Sequence, residues 1–204
     1  MAEGKRTREG SKLTHAESFE GIPMLKFLLK YFMSLLGKKP MPTLTAGRNA
    51  PAFQLATATG ESLSLPEALR KGPVLVAFFK VSCPVCQFTF PFLERIHQQF
   101  RGTGVQIWGV AQDNAAEARR FAQTHKLTFP ILIDDRPYKT SREYSLTTVP
   151  SIFLVKPDGR IEISSEGFSK ADLLAVQKSL AQSESAILPA LFLPTENIPA
   201  YKPG

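Results

Sequence analysis

Cys83 and Cys86 stand three residues apart and are the only two cysteines among 204 residues. They follow the apolar run 73–79 and open a segment with helical periodicity. Residues at i and i+3 lie on one face of a helix, so the two sulfur atoms can meet with little backbone movement. The first turn of a helix also has free N–H groups and the positive end of the dipole, which favour thiolate over thiol. The spacing therefore predicts a dithiol that cycles between reduced and oxidised states.

Three other roles compete for these two cysteines. They could be buried core residues, because free cysteine is often buried. They could be half of a zinc site, but tetrahedral zinc needs four ligands, and His15, His97 and His125 have no ligand-like spacing. They could form a structural disulfide, although closing so short a loop adds little chain-entropy stabilisation. We favour the redox role and predict no metal.

Composition argues for one globular domain with extensions. The hydrophobic fraction of 43% is sufficient for a core. A formal net charge of +7 would suit nucleic-acid binding. However, residues 1–40 carry eight of the 25 basic residues and only four of the 18 acidic ones. The rest of the chain is nearly balanced in charge, so we predict no nucleic-acid partner.

The N-terminal part divides into a polar arm and an apolar segment. Residues 1–21 are polar and mixed in charge, which predicts a disordered arm. Residues 22–36 predict an amphipathic helix with Lys26 and Lys30 on one face. This segment is too short and too charged for a membrane span and lacks the features of a signal peptide. It would lie on an anionic membrane surface, or pack on its own domain or a partner.

A linker, residues 37–44, leads into the predicted domain 45–183, and a Pro-rich tail, residues 184–204, follows. Alternation of strands and helices predicts an α/β sheet of mixed strand direction. The predicted elements are a β-hairpin over 52–65, a short helix over 66–70, a buried strand over 74–79, a helix over 84–100 kinked at Pro91, a strand over 105–111, a helix capped by Asn114, a strand over 129–133, a short helix over 142–145, strands over 151–155 and 160–164, and a helix from Ser169 through Leu180.

This order resembles the thioredoxin fold and, within it, the TlpA-type thiol-disulfide oxidoreductases of the AhpC/TSA–redoxin superfamily. The resemblance covers about two thirds of the chain. It implies a three-layer α/β/α sandwich with a mixed central sheet, an N-terminal β-hairpin and an inserted βα unit. It rests on residues 50–53 with 60–65, 73–86, 105–134, and 144–154 with 158–161.

The resemblance also implies roles for single residues. Cys83 becomes the nucleophile and Cys86 the resolving thiol of a redox-active disulfide. Pro150 matches the cis-proline beside the active site, which leaves the backbone of Val149 free to pair with an extended substrate chain. The residues expected to bind substrate are Pro84, Val85, Val149 and Pro150.

Three positions depart from the pattern of the resembled families. Ser82 stands where thioredoxins place a Trp, and Ala77 stands where they place a buried Asp. Thr89 stands where TlpA-type reductases often have a Glu. Both routes to a buried proton acceptor are therefore missing, and the sequence leaves the proton acceptor for Cys86 unassigned.

We therefore expect a thiol-disulfide oxidoreductase that needs no external cofactor. Its partners would be protein thiols and disulfides and an upstream dithiol donor. One alternative is a peroxiredoxin-like peroxidase of the AhpC/TSA type. That chemistry goes with a Pro-x-x-x-Thr/Ser-x-x-Cys pattern, and Lys80 stands where the Thr or Ser would be. The other alternative is a non-enzymatic redox-sensing or interaction module.

The expected location is cytoplasmic, with membrane-surface contact through residues 22–36. Both cysteines belong to one redox motif, which fits a reducing compartment. The same composition also leaves an extracytoplasmic location open.

Overall fold

A computed structural model of the protein describes Met1, residues 42–184 and residues 189–204. Apart from Met1, the predicted arm 1–21 lies outside the described residues, as do the predicted helix 22–36 and most of the linker. Among the described residues, no helix is both long and apolar enough to cross a membrane.

A five-stranded sheet forms the middle of the domain. Its strands are β3 (Val74–Phe79), β4 (Gln106–Ala111), β5 (Ile131–Ile133), β6 (Ser151–Val155) and β7 (Ile161–Glu166), preceded by the hairpin β1 (Gln54–Ala56) and β2 (Ser62–Ser64). The strand order is β5-β4-β3-β6-β7, with β3, β4 and β5 parallel and with β6 antiparallel to both β3 and β7. The mixed direction predicted from the sequence is therefore confirmed.

The side chains of β3 alternate between two apolar cores, as the period of a strand requires. Leu75, Ala77 and Phe79 point into one core, and Val76 and Phe78 are among those that point into the other. The helices are α1 (Leu65–Leu69), α2 (Pro84–Gln99), α3 (Ala115–Thr124), α4 (Lys139–Glu143) and α5 (Lys170–Glu184). The first core is shared with α2, α3 and α5, and the second with α1 and the hairpin, so helices cover both faces of the sheet.

Local capping explains why two of the predicted helix starts agree with the structure. Asn114 caps α3 by accepting from the Glu117 N–H at 3.0 Å, and the Glu117 carboxylate accepts from Asn114 in return. Ser169 accepts from the Asp172 N–H at 3.2 Å at the start of α5. That helix runs past the predicted end at Leu180 to Glu184.

The prediction for α4 was shifted by a few residues. The structure has this helix at Lys139–Glu143 rather than 142–145. Its first turn is held by the buried Asp134 carboxylate, which accepts from the Thr140 N–H, the Ser141 N–H and the Ser141 hydroxyl. Because this acceptor comes from the preceding connection and not from the N-cap position, no local sequence pattern marks where α4 begins.

Residues 189–204, the described part of the tail, pack on the domain. Leu191 is buried, and the short strand β9 (Tyr201–Lys202) pairs antiparallel with β8 (Phe168–Ser169). The proline content predicted an extended chain, but it did not predict this pairing. Tertiary contacts decide where such a segment lies.

Candidate active site

The junction between β3 and α2 places both cysteines. β3 ends at Phe79, and Cys83 is the N-cap residue of α2, where its Sγ accepts from the Cys86 N–H at 3.2 Å. That N–H is one of the groups that have no partner inside the helix. Pro84 occupies the first turn, where its missing N–H costs no hydrogen bond.

The two thiols lie in different environments. Cys86 is fully buried among apolar side chains, whereas Cys83 is partly exposed. Neither cysteine is in a disulfide, and the Cys83 thiol donates to the Val149 carbonyl oxygen at 3.4 Å. Of the two sulfur atoms, Cys83 is the one that an external disulfide can reach.

Burial raises the pKa of the Cys86 thiol well above its ordinary value of 9.0. The hydrogen bond with the Cys83 side chain raises this pKa as well, and so do the negative charges of Cys83 and Asp113. A backbone hydrogen bond involving Lys80 acts in the opposite direction. Cys86 therefore keeps its proton at neutral pH.

The loop that ends at Pro150 lies directly across from Cys83. The Val149–Pro150 peptide bond is cis, as expected, and the Arg136–Pro137 bond, for which we had no expectation, is cis too. The Ser151 hydroxyl donates to Thr148 O at 2.8 Å. Chain segments 66 residues apart are thus brought together at the hydrogen bond between Cys83 and Val149.

A cleft of about 370 Å³ opens over Cys83. Two of the four residues predicted to bind substrate, Pro84 and Val149, line this cleft. The other two differ: Pro150 is buried, and Val85 packs partly buried against the core. The lining residues are Lys80, Cys83, Pro84, Gln112, Leu146, Thr147, Thr148, Val149 and Gly204.

Thr89 and Ala77 are two of the positions that depart from the family pattern, and neither side chain can take a proton from Cys86. Thr89 is buried, and its hydroxyl donates to the Val85 carbonyl of its own helix at 2.7 Å. Ala77 is buried in the same core as Cys86. Lys80 is exposed and lines the cleft.

The sequence interpretation missed Asp113. Its carboxylate accepts from the Val81 N–H at 2.8 Å, so it holds the turn between β3 and Cys83. β4 is parallel to β3 and pairs Ala111 with Phe79, so the residues just after both strands lie at one edge of the sheet. An acid two residues after β4 was therefore a usable signal. Within the described residues, no cluster of three His, Cys, Asp or Glu side chains could hold a metal ion.

Comparison with known proteins agrees with this geometry. The AhpC/TSA family model matches residues 46–164. The thioredoxin-like protein YneN of Bacillus subtilis is 30% identical over 119 residues, which cover 57% of this chain and 68% of YneN. The thiol-disulfide oxidoreductase ResA of Halalkalibacterium halodurans is 32% identical over 117 residues, which cover 57% of this chain and 65% of ResA. The chain thus spans about two thirds of the length of these relatives.

A solved structure shows the same fold. The thioredoxin domain of a thiol-disulfide oxidoreductase from Bacteroides vulgatus superposes with a TM-score of 0.61 at 24% identity. The superposition covers 68% of this chain and 99% of that domain. The described domain is thus a thioredoxin-like sandwich, as predicted.

Proposed function

This chain belongs to the AhpC/TSA family and is an oxidoreductase of thiols and disulfides, and we propose that Cys83 and Cys86 carry out the exchange. The observation that carries the proposal is the pairing of an accessible Cys83 with a buried, protonated Cys86 at one helix N-terminus. Protein disulfides and an upstream dithiol donor are the proposed partners.

In the first step, the Cys83 thiolate attacks one sulfur of a substrate disulfide. A mixed disulfide between Cys83 and the substrate forms, and the other substrate sulfur leaves as a thiolate that takes up a proton. In the second step, Cys86 loses its proton and attacks the Cys83 sulfur. The enzyme is left with a Cys83–Cys86 disulfide and the substrate with two thiols, so two electrons and two protons pass to the substrate.

The protonation of Cys86 separates these two steps. Burial is the largest cause of the raised pKa of Cys86, and the hydrogen bond with Cys83 and the negative charge of Cys83 raise it further. When Cys83 enters the mixed disulfide, its charge is gone, and the pKa of Cys86 falls although burial still holds it up. The resolving thiol therefore loses its proton more readily once the substrate is bound.

The test uses reduced protein and insulin as a model disulfide. We expect Cys83→Ser to abolish insulin reduction, because the accessible nucleophile is lost. Cys86→Ser should instead accumulate a mixed disulfide through Cys83, visible by non-reducing electrophoresis and mass spectrometry. Full activity of Cys83→Ser would show that this mechanism is wrong.

A peroxidase assay separates this proposal from the peroxiredoxin alternative. Peroxide consumption with a dithiol donor at a rate matching insulin reduction would favour the peroxidase. Lys80 lies in the cleft where that chemistry would use a hydroxyl, so we expect slow consumption of peroxide.

For location, we keep the proposal of a cytoplasmic protein that contacts a membrane surface through residues 22–36. The support is the redox motif with no further cysteines, and Lys26 and Lys30 on the predicted helix. Cell fractionation tests it, and recovery from an extracytoplasmic fraction would contradict it.

A further inference from the structure

The tail returns across the active-site helix to the cleft. Arg95, on α2, donates to Leu191 O at 2.8 Å and to the Glu196 carboxylate at 2.8 Å. Phe192 packs on Phe92 of the same helix, with ring centroids 5.0 Å apart. The helix that Cys83 caps is therefore also the surface on which the tail lies.

Residues 200–204, which we call the tail end, are held between β8 and the start of α2. Besides the β8–β9 pairing, the Lys170 N–H donates to Ala200 O at 2.9 Å. The Lys202 ammonium lies 4.7 Å from the centroid of the Phe88 ring, two residues after Cys86. These contacts hold the tail end against β8 on one side and against Phe88 of α2 on the other.

Two glycines mark how closely the tail end approaches the Pro150 loop. A Cβ atom added to Gly167, whose N–H donates to Pro150 O at 2.8 Å, would overlap Lys202 O. A Cβ added to Gly204 would lie 2.6 Å from both Thr148 Oγ1 and Val149 O. Gly204 also lines the cleft together with Cys83. The tail end therefore lies directly against the backbone of Val149.

We propose that the tail end forms a wall of the cleft and selects substrate disulfides by the length of chain that flanks them. The inference rests on the proposed function and refines its substrate class. An extended substrate that pairs with Val149 meets the tail end first, whereas a short disulfide can reach Cys83 in this cleft without pairing with Val149. Preferred substrates are then small or chain-terminal disulfides.

The physical effect is a competition inside one molecule. A long substrate binds only the fraction of molecules whose tail end has moved away, so its apparent affinity is reduced by that fraction. Removing the tail end should therefore lower KM for a long substrate and leave kcat unchanged. A small disulfide needs no such opening, so its kinetics should stay the same.

The experiment compares the 204-residue chain with a variant lacking residues 200–204. Insulin serves as the long substrate and oxidised glutathione as the small one. We expect kcat/KM for insulin to rise about tenfold, which corresponds to a tail end that has moved away in about a tenth of the molecules, with glutathione disulfide reduction changed less than about twofold. Gly204→Ala should raise the ratio of kcat/KM for insulin to kcat/KM for glutathione disulfide by a smaller factor, because the added methyl group pushes the tail end off Val149.

Leu193→Ala is the matched control, since Leu193 is an exposed apolar residue of the same tail that does not line the cleft. Hydrogen exchange at the Lys170 N–H reports tail release independently of activity. The inference is overturned if exchange accelerates in the deletion variant or in Gly204→Ala while the ratio of kcat/KM for insulin to kcat/KM for glutathione disulfide stays constant. If the 204-residue chain reduces neither substrate, the proposed function fails first, and the inference fails with it.

Discussion

Asp113 is the residue through which the active-site turn is joined to the neighbouring strand. Its carboxylate both receives the Val81 N–H and adds negative charge near Cys86. The first effect is positional and the second electrostatic, and two substitutions can separate them. An amide keeps the acceptor oxygen and removes the charge, whereas a methyl group removes both.

We predict that Asp113→Asn lowers the pKa of Cys86, because one of the charges that raise it is gone. Asp113→Ala should lower this pKa too, and should also destabilise the protein by about 1 kcal/mol, because the Val81 N–H loses its acceptor. Thiolate absorbance against pH and urea unfolding measure the two effects. Asp135→Asn, in the same 600 Å³ cavity as Asp113, is the matched control. An unchanged pKa in Asp113→Asn would refute the electrostatic role.

Cys86 also makes stability depend on pH. Its folded-state pKa is raised above the ordinary value of 9.0, so the folded state keeps a proton that the unfolded chain loses. The resulting stabilisation is complete below about pH 9 and is lost as pH rises toward the folded pKa. Above about pH 9, the unfolding free energy of reduced protein should fall with pH, with a slope that approaches about 1.4 kcal/mol per pH unit.

Urea unfolding of reduced protein between pH 7 and about pH 10 checks this expectation. The pKa of Tyr144 is also raised by burial, so Tyr144 makes stability fall with pH as well, but only above this range. Cys86→Ala should be less stable overall but lose this slope. The same slope in both proteins would show that another group causes it.

At the scale of elements, the parallel pair β3–β4 and helix α2 form the rigid part of the site. Gly109 lies opposite Ala77 in this pair, and its missing side chain leaves room for Phe79 and Phe90. The centroids of those two rings are 4.3 Å apart, so the rings pack the strand that precedes Cys83 against the helix that follows it. Close packing here fixes the angle between β3 and α2.

We predict that Gly109→Ala destabilises the protein by about 1–3 kcal/mol through overpacking. The added Cβ would lie 2.6 Å from Ile131 Cδ1 and 3.2 Å from the Phe90 ring. The midpoint of urea unfolding at unchanged slope measures the loss. Ile131→Val removes that Cδ1 atom, so the double variant should lose less than the sum of the two single losses. Simple additivity would show that the Ile131 contact is not the cause.

At the scale of the whole molecule, the ion pair between Arg95 and Glu196 is one of the contacts that hold the described part of the tail on the domain. Glu196 receives hydrogen bonds from Arg95 and from the Leu193 N–H, which lower the pKa of its carboxyl from 4.5 to about 2. A lowered folded-state pKa gives stability that is present above pH 4.5 and is lost as pH falls through about 2. The contribution of this ion pair to holding the tail is therefore complete at neutral pH and weakens only in acid.

We predict that Glu196→Gln speeds amide exchange in residues 189–204 at neutral pH, while β3 keeps its protection. In the wild-type protein the same residues should lose protection as pH is lowered from about 4.5 toward 2. Glu67→Gln is the control, because the Glu67–Arg70 pair is exposed and 3.8 Å long. Equal loss of protection in the tail and in β3 would mean that the tail does not open separately.

What the sequence determined by itself is local in the chain. Cys83 and Cys86 share one helical turn, Asn114 and Ser169 accept from N–H groups three residues ahead, and the apolar run 74–79 is one buried strand. Each of these follows from neighbouring residues and backbone geometry, so pattern and spacing were enough to predict them. The resemblance to known families added the position of Pro150.

What only the tertiary structure decided depends on residues far apart in the chain. Asp134 sets the start of α4 from the preceding connection, Asp113 reaches Val81 across two strands, and Gly204 lies on Val149. No local pattern encodes these contacts, because each exists only once the sheet has brought its two segments together. The dithiol could therefore be found in the sequence, whereas the placement of Asp113 beside Val81 and of Gly204 beside Val149 came only from the tertiary structure.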